Sequence, residues 1–320
     1  MRHFNSGSST HLAPSVLADK HEDVKDAARF DEHLKTAERV FLYCHGNAGN
    51  RATFQRTAFY KLLSSTPQTS HVLTFDYRGF GDSSPVSPTE HGVQLDALAA
   101  YTYLTTRGVP HTRIILVGHS LGSGVATWLS RNLTESGTAP AGLVLLSAYA
   151  SMPDAALGYP MVPLLYPFQY LPALSKTVKS FVAERWESVE HIKYAACPVL
   201  IMHGSADFEI LPWQARSLFL ESVGTRLGKK VEEPTEDLQT VFEPRDSGES
   251  VTTLDGYSIR RLPGDEAWLW ISESSQWTDL MGREKGDVWY LEVKRAGHNT
   301  LGKYQVVADG LEAWLKKHSV

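Results

Sequence analysis

The chain has 320 residues, with 31 Lys and Arg against 36 Asp and Glu for a formal charge of −5, and is 42% hydrophobic and 21% charged. That composition belongs to a folded globular protein and excludes disordered, collagen-like and membrane-spanning classes. Without a basic excess the molecule cannot hold a phosphate backbone non-specifically, so a nucleic-acid partner is not expected. Its two cysteines, Cys44 and Cys197, lie in the apolar runs FLYCHG and AACPVLI. They can supply neither a disulfide framework nor a Cys-rich zinc site, and are read as small buried residues.

The opening MRHFNSGSSTHLAPSV is polar and has no apolar core of a signal peptide. The short β-rich runs that follow are Val40 to Cys44, Val72 to Phe75, Ile114 to Val117, Leu143 to Leu146, Val199 to Met202 and Val288 to Val293. Segments with helical spacing separate most of them, such as Val93, Leu95, Leu98, Tyr101 and Leu104, or Val125, Trp128, Leu129 and Leu133. Near-continuous apolar strands alternating with amphipathic helices predict an α/β fold with a mostly parallel central sheet covered by helices on both faces. Functional residues are then expected at the carboxyl ends of the strands.

Two segments break this rhythm within a single domain spanning 1–320. Residues 151–195 replace a crossover helix with a proline-rich aromatic run, followed by TVKSFVAERWESVEHI, which reads as a helix. The uncharged stretch from Ala155 to Ser175 is long enough to cross a bilayer by count, but Pro160, Pro163, Pro167 and Pro172 forbid a regular spanning helix. The chain is therefore expected to be soluble or peripheral. Residues 227–287 form an acidic insertion in which VTTLDGYSIRRL, around Asp255-Gly256, predicts a β-hairpin.

Within RIILVGHSLGSGVATWL, the residues Gly118 to Gly122 match G-x-S-x-G, directly after a predicted strand and before a predicted helix. Glycines flank Ser120 because a strained nucleophile turn leaves no space for side chains beside it, and Gly124 is expected to let the helix approach the sheet. A serine hydroxyl needs a histidine base held by a carboxylate, in the chain order Ser, acid, His. Of 13 histidines, only His298 and His318 follow the last predicted strand; His318 is read as exposed tail, leaving His298 in KRAGHNTLG. Asp207 in IMHGSADFEILP is the acid candidate, just before a helix that Pro212 could open, with Glu209 as runner-up. Backbone N–H groups of Asn47, in FLYCHGNAGNR, and of Leu121 are assigned to an oxyanion hole, with His45 bracing the loop. The sequon at Asn132 is read as coincidental, and neither a metal-binding spacing nor a nucleotide loop is present.

Five stretches, LYCHGNAGNR, LTFDYRGFGDS, VGHSLGSGVAT, IMHGSADFEILP and AGHN, resemble the α/β-hydrolase superfamily, and within it the monoacylglycerol lipase and lysophosphatidylserine lipase branch. The likeness covers residues 38 to 225 and 288 to 318. It implies an α/β-hydrolase fold with a cap insertion, and places the family's nucleophile, acid and base at Ser120, Asp207 and His298. Members of that branch commonly carry an amino-terminal membrane anchor and extra early strands, whereas only 39 residues precede Val40 here. The acidic insertion has no matching counterpart.

The expected function is a serine hydrolase that cleaves carboxylic esters of lipids, monoacylglycerol or lysophospholipid, through an acyl-enzyme intermediate and without cofactor or metal. Met161, Val162, Leu164, Leu165, Tyr166 and Phe168 would offer apolar surface to the acyl chain of a small amphipathic ester. Lys176, Lys179 and Arg185 are read as solvated charges. Cytoplasmic or peripheral membrane residence is expected, with the endoplasmic reticulum implied by the resemblance. The alternatives are an acyl-protein or acyl-CoA thioesterase using the same residues, or a non-catalytic hydrolase-like binding protein.

Overall fold

The computed structural model describes residues 2–5, 31–66, 69–159, 176–177, 179–231, 251–254, 257–262, 267–272 and 286–318. Its strands are β1 (Arg2–Asn5), β2 (Arg39–Cys44), β3 (Ser70–Thr74), β4 (Ile114–His119), β5 (Gly142–Leu146), β6 (Val199–Gly204), β7 (Val251–Leu254), β8 (Tyr257–Arg261), β9 (Ala267–Ser272) and β10 (Val288–Val293). The helices are α1 (Phe54–Ser64), α2 (Glu90–Thr105), α3 (Leu121–Glu135), α4 (Met152–Gly158), α5 (Ser188–His191), α6 (Pro212–Leu227) and α7 (Gln305–Lys317).

The strands form one sheet in the order β1-β3-β2-β4-β5-β6-β10-β9-β8-β7. Its centre, from β3 to β10, is parallel, while β1 and the run β9-β8-β7 add antiparallel edges. Parallel strands need both faces covered, and β2, β4, β5, β6 and β10 are buried along their whole length. Alternate residues feed two separate cores. Val40, Leu42, Ile114, Leu116, Leu143, Leu145, Val199 and Ile201 pack with α2, α3 and α6 on one face. Phe41, Tyr43, Ile115, Val117, Val144, Leu146, Leu200 and Met202 pack with α1 and α7 on the other. The period of two sets which side chain goes to which face. Cys44 and Cys197 are free and buried, and burial pushes their thiols up to about 12 and about 11, far from reactive thiolates.

The chain leaves β2 for β3 on one side and then returns to β4 on the other, so the connections diverge between β2 and β4. In an open α/β sheet that divergence opens a crevice at the carboxyl ends of the strands. Beyond β6, β10 adds in parallel, and the residues between them contribute β7, β8 and β9 outside it. β7 and β8 pair with Leu254 opposite Tyr257, on either side of Asp255-Gly256. Tyr257 of β8, Trp270 of β9, Tyr290 of β10 and Phe219 of α6 meet in an aromatic cluster that ties these strands to the helix layer.

Two expectations are corrected. Residues 177–192 do not form one helix: the chain turns at Phe181, is non-helical over 182–187 and resumes helix only in α5. Trp186 adopts φ 42° and is buried, and the Glu90 carboxylate accepts hydrogen bonds from the backbone N–H groups of Arg185 and Trp186. Burying that indole and tying those N–H groups across the fold outweighs local helix propensity. His318 is not an exposed tail residue either: it is half-buried, its ring 5.4 Å from that of Trp314. Burial holds its pKa below the ordinary value.

Candidate active site

Ser120 follows directly on β4 and holds φ 53°, ψ −121°, a strained conformation for a residue with a side chain. Its N–H donates to the Leu146 carbonyl at 3.0 Å, fixing the turn to β5. The two glycines the motif requires are explained by close approach. A Cβ at Gly118 would collide with the backbone of Gly122 and Ser123, and one at Gly122 with the Cys44 and His45 carbonyls. Gly122 therefore brings α3 against the end of β2. Gly124 instead makes space for Tyr149 and Trp186 rather than for the sheet itself.

Asp207 lies three residues beyond β6 and His298 five beyond β10, so three strand ends deliver three side chains to one point. His298 Nε2 stands 2.9 Å from Ser120 Oγ, and His298 Nδ1 2.8 Å from Asp207 Oδ2. The other carboxylate oxygen of Asp207 accepts from the N–H groups of Glu209 and Ile210 at 3.0 and 2.9 Å. Burial pushes this carboxyl up, but the hydrogen bond from His298, the electrostatic pull of the His298 and His203 rings and the Ile210 N–H outweigh it, and its pKa falls below the ordinary value. Glu209, the alternative acid, is half-buried, with Oε2 3.9 Å from His298 Nε2 and on the wrong side of the ring to orient Nδ1.

Residues that the motif reading gave no role hold this line in place. The His298 carbonyl lies 3.1 Å from His119 Nε2 and accepts from Ser147 Oγ at 3.0 Å. His203 Nε2 lies 2.9 Å from the Ile210 carbonyl and 3.5 Å from Asp207 Oδ2. His119 is part of the G-x-S-x-G string itself, but its x position carries no signal for this contact.

The loop after β2 reaches over Ser120: a Cβ on Gly46 would lie 3.1 Å from Ser120 Cβ. Asn47 is exposed on this loop, and Leu121 opens α3, where geometry leaves its N–H without an intrahelical acceptor. His45 braces the loop through Nδ1, 2.8 Å from the Gly46 carbonyl, and Nε2, 3.3 Å from Asp76 Oδ1, while Tyr77 Oη donates to the His45 carbonyl at 2.9 Å. Arg51 bridges Asp76 and Asp82, and Arg56 donates to the loop carbonyls. Arg51 and Asp76 fall inside stretches that carry the family resemblance, yet the sequence attached no task to them.

Met161, Val162, Leu164, Leu165, Tyr166 and Phe168 lie outside the described residues. Of the basic residues near them, Lys179 pairs with Asp154, and Arg185 with Glu187 at 2.7 Å. Among the described residues no group of three or more His, Cys, Asp or Glu side chains could hold a metal ion, and no helix is long and apolar enough to cross a membrane.

A strained serine between sheet and helix, a histidine against its hydroxyl and a carboxylate behind that histidine, on this strand order, define a class. The chain matches the alpha/beta hydrolase family over residues 40–309 and belongs to it. It is 37% identical over 207 residues to the lysophosphatidylserine lipase ABHD12 of Danio rerio, covering 64% of this chain and 52% of that protein. Against the protein of the same name from Xenopus tropicalis the identity is 37% over 202 residues, covering 62% and 50%. Protein ABHD12B of Homo sapiens is 33% identical over 201 residues, 62% of this chain and 53% of that one. The chain thus spans about half the length of the curated relatives it matches. Among solved structures, the Pyrococcus furiosus esterase Pf2001 shares the fold at a TM-score of 0.54 and 13% identity, over 88% of this chain and 83% of its own. Est1E from Butyrivibrio proteoclasticus does so at 0.51 and 14%, over 88% and 89%.

Proposed function

We propose that the chain is a serine hydrolase acting on carboxylic esters of lipids, of the lysophospholipid or monoacylglycerol type. The observation that carries the reading is the hydrogen-bonded line from Ser120 Oγ through His298 to Asp207. The relatives named lysophosphatidylserine lipase support the lipid substrate.

In this reading His298 Nε2 takes the Ser120 hydroxyl proton as Oγ adds to the ester carbonyl carbon. Asp207, with its pKa below the ordinary carboxylate value, stays ionised, keeps the proton on His298 Nδ1 and stabilises the imidazolium that forms. Backbone N–H groups of Asn47 and Leu121 receive the developing oxyanion. The carbonyl re-forms, the alcohol leaves with the proton from His298, and water repeats the sequence on the acyl-serine to release the fatty acid.

Residues 151–195 are proposed as the cap, with Met161, Val162, Leu164, Leu165, Tyr166 and Phe168 offering apolar surface to the acyl chain, and 227–287 as an acidic insertion within the single domain. A peripheral lipid contact is part of the same proposal. Phe54, Phe208 and Trp213 are exposed at 79%, 71% and 41% in segments that leave the carboxyl ends of β2 and β6, and Phe181, exposed at 83%, lies between Lys179, which pairs with Asp154 of α4, and Arg185, whose carbonyl accepts from the Met152 N–H.

Labelling by a fluorophosphonate tests the chemistry. Wild-type protein should react and Ser120→Ala should not; a folded wild type that stays unlabelled would sink the enzyme reading. A panel of lysophospholipids, monoacylglycerols and acyl thioesters then identifies the leaving group, and preference for thioesters would replace the ester assignment.

A further inference from the structure

Arg56 is buried on the first turn of α1, and among the described residues its hydrogen-bond partners are all backbone carbonyls. One nitrogen, Nη2, donates to three consecutive ones, Gly46 at 2.7 Å, Asn47 at 3.1 Å and Ala48 at 2.6 Å. Nη1 donates to the Asn50 carbonyl. The loop can wrap a cation in this way because Ala48 and Gly49 take positive φ, 60° and 65°, which turns successive carbonyls inward.

Each carbonyl held this way fixes the plane of its peptide. In a trans peptide the C=O and the following N–H point in opposite directions. A Gly46 carbonyl drawn to Arg56, with His45 Nδ1 at 2.8 Å on the same oxygen, therefore turns the Asn47 N–H away from the guanidinium. Gly46 sits against Ser120, so this peptide borders the nucleophile.

The geometry points to Arg56 as a positioning residue for the oxyanion hole: by gathering the carbonyls of Gly46, Asn47 and Ala48 it pre-sets the Asn47 N–H for an oxyanion formed on Ser120. Without it, that peptide can rotate, and the donor must be reoriented at the moment charge develops. Preorganised donors act because that reorganisation has already been made in folding. Arg51 does a different job, since its partners are the carboxylates of Asp76 and Asp82, and it anchors the base of the loop rather than its peptide planes. The inference rests on the serine hydrolase reading above.

The test compares wild type, Arg56→Lys and Arg56→Gln on a soluble p-nitrophenyl ester and with a trifluoromethyl ketone. Ser120 Oγ adds to the ketone carbon, its proton passes to His298, and the carbonyl electron pair becomes a hemiketal oxyanion in the hole. Arg56→Gln should lower kcat by about 100-fold, the scale of losing one oxyanion donor, with KM changed less than about threefold. The inhibition constant of the ketone should rise by the same factor as kcat/KM falls, as expected for an interaction made only with the tetrahedral species. Arg56→Lys, which keeps the charge but has no planar fork, should fall between. Activities are expressed per active site, titrated with the fluorophosphonate, so that unfolded molecules do not count. If Arg56→Gln does not fold, the same two quantities are read on Arg56→Lys. An unchanged ketone inhibition constant per active site, or a rise in KM alone, overturns the positioning role. Full activity in Ser120→Ala would instead overturn the serine hydrolase reading, whatever Arg56 does.

Discussion

His119 and His203 border the Ser120–His298–Asp207 line without being members of it, and burial decides their charge. Burial, joined by the neighbouring His298 charge, drives the His119 pKa down to about 3, and burial likewise lowers that of His203. His119 therefore stays neutral in the folded state where an unfolded histidine, near 6.5, would already bind a proton, and His203 is shifted in the same direction. Between pH 6.5 and about 3 the unfolded chain takes up a proton that native His119 cannot, so stability falls with falling pH, by up to about 1.4 kcal/mol per pH unit from His119, and His203 acts in the same direction. Asp207 adds to this lower down: its depressed pKa contributes stability present above the ordinary carboxylate value and lost as pH falls through the folded one. His119→Gln should flatten the dependence between pH 6.5 and 4, read as urea midpoints at each pH; an unchanged slope would show that His119 is not the group responsible. At this scale the sequence made Ser120, Asp207 and His298 legible because each sits at a strand end in a motif whose chemistry restricts residue choice. Arg56, Ser147 and His203 were not legible, since a side chain that acts on a carbonyl leaves no partner pattern in the sequence.

The strands were the most readable elements, because burial on both faces makes a parallel strand continuously apolar, as in RVFLYC and VLIMHG. The stretch 177–192 misled for the converse reason. Its helical spacing is real, but Trp186 is drawn into the space left by Gly124, and the Glu90 carboxylate captures the N–H groups that a helix would have used. Gly122 is the tightest joint between elements, where α3 meets the end of β2. Gly122→Ala should destabilise the protein by about 1–3 kcal/mol, the range for forced overpacking, because the obstructing atoms are backbone and cannot swing aside. Gly158→Ala provides the contrast: it lies in α4 with its nearest neighbour, Leu211 Cδ1, at 3.5 Å, and should be neutral or stabilising by about 0.5–1 kcal/mol through helix propensity. Chemical denaturation of the two variants side by side checks the difference, and equal effects would remove the close approach as the reason for glycine at 122.

Across the whole molecule, charge and apolar surface are unevenly divided. Residues 229–287 hold 14 acidic and 7 basic side chains, so of the 36 acidic and 31 basic in the chain, 22 and 24 lie elsewhere. The net charge of −5 thus belongs to this segment, and the rest of the chain is slightly basic, which does not oppose contact with an anionic lipid surface. If the exposed aromatic residues make that contact, Phe54→Ser with Phe181→Ser should lower co-sedimentation with vesicles containing phosphatidylserine several-fold while sparing hydrolysis of a soluble ester. Equal sedimentation of variant and wild type would remove these two residues from any lipid contact. The sequence by itself determined the alternation of strands and helices, the parallel centre of the sheet and the chain order of Ser120, Asp207 and His298, because periodicity and motif spacing are local properties of the chain. Only the tertiary structure decided that β7, β8 and β9 extend the sheet, that Trp186 interrupts a helix and that Arg56 gathers the carbonyls of the loop over Ser120. Those outcomes depend on contacts between residues distant in sequence, whose energies no local pattern encodes.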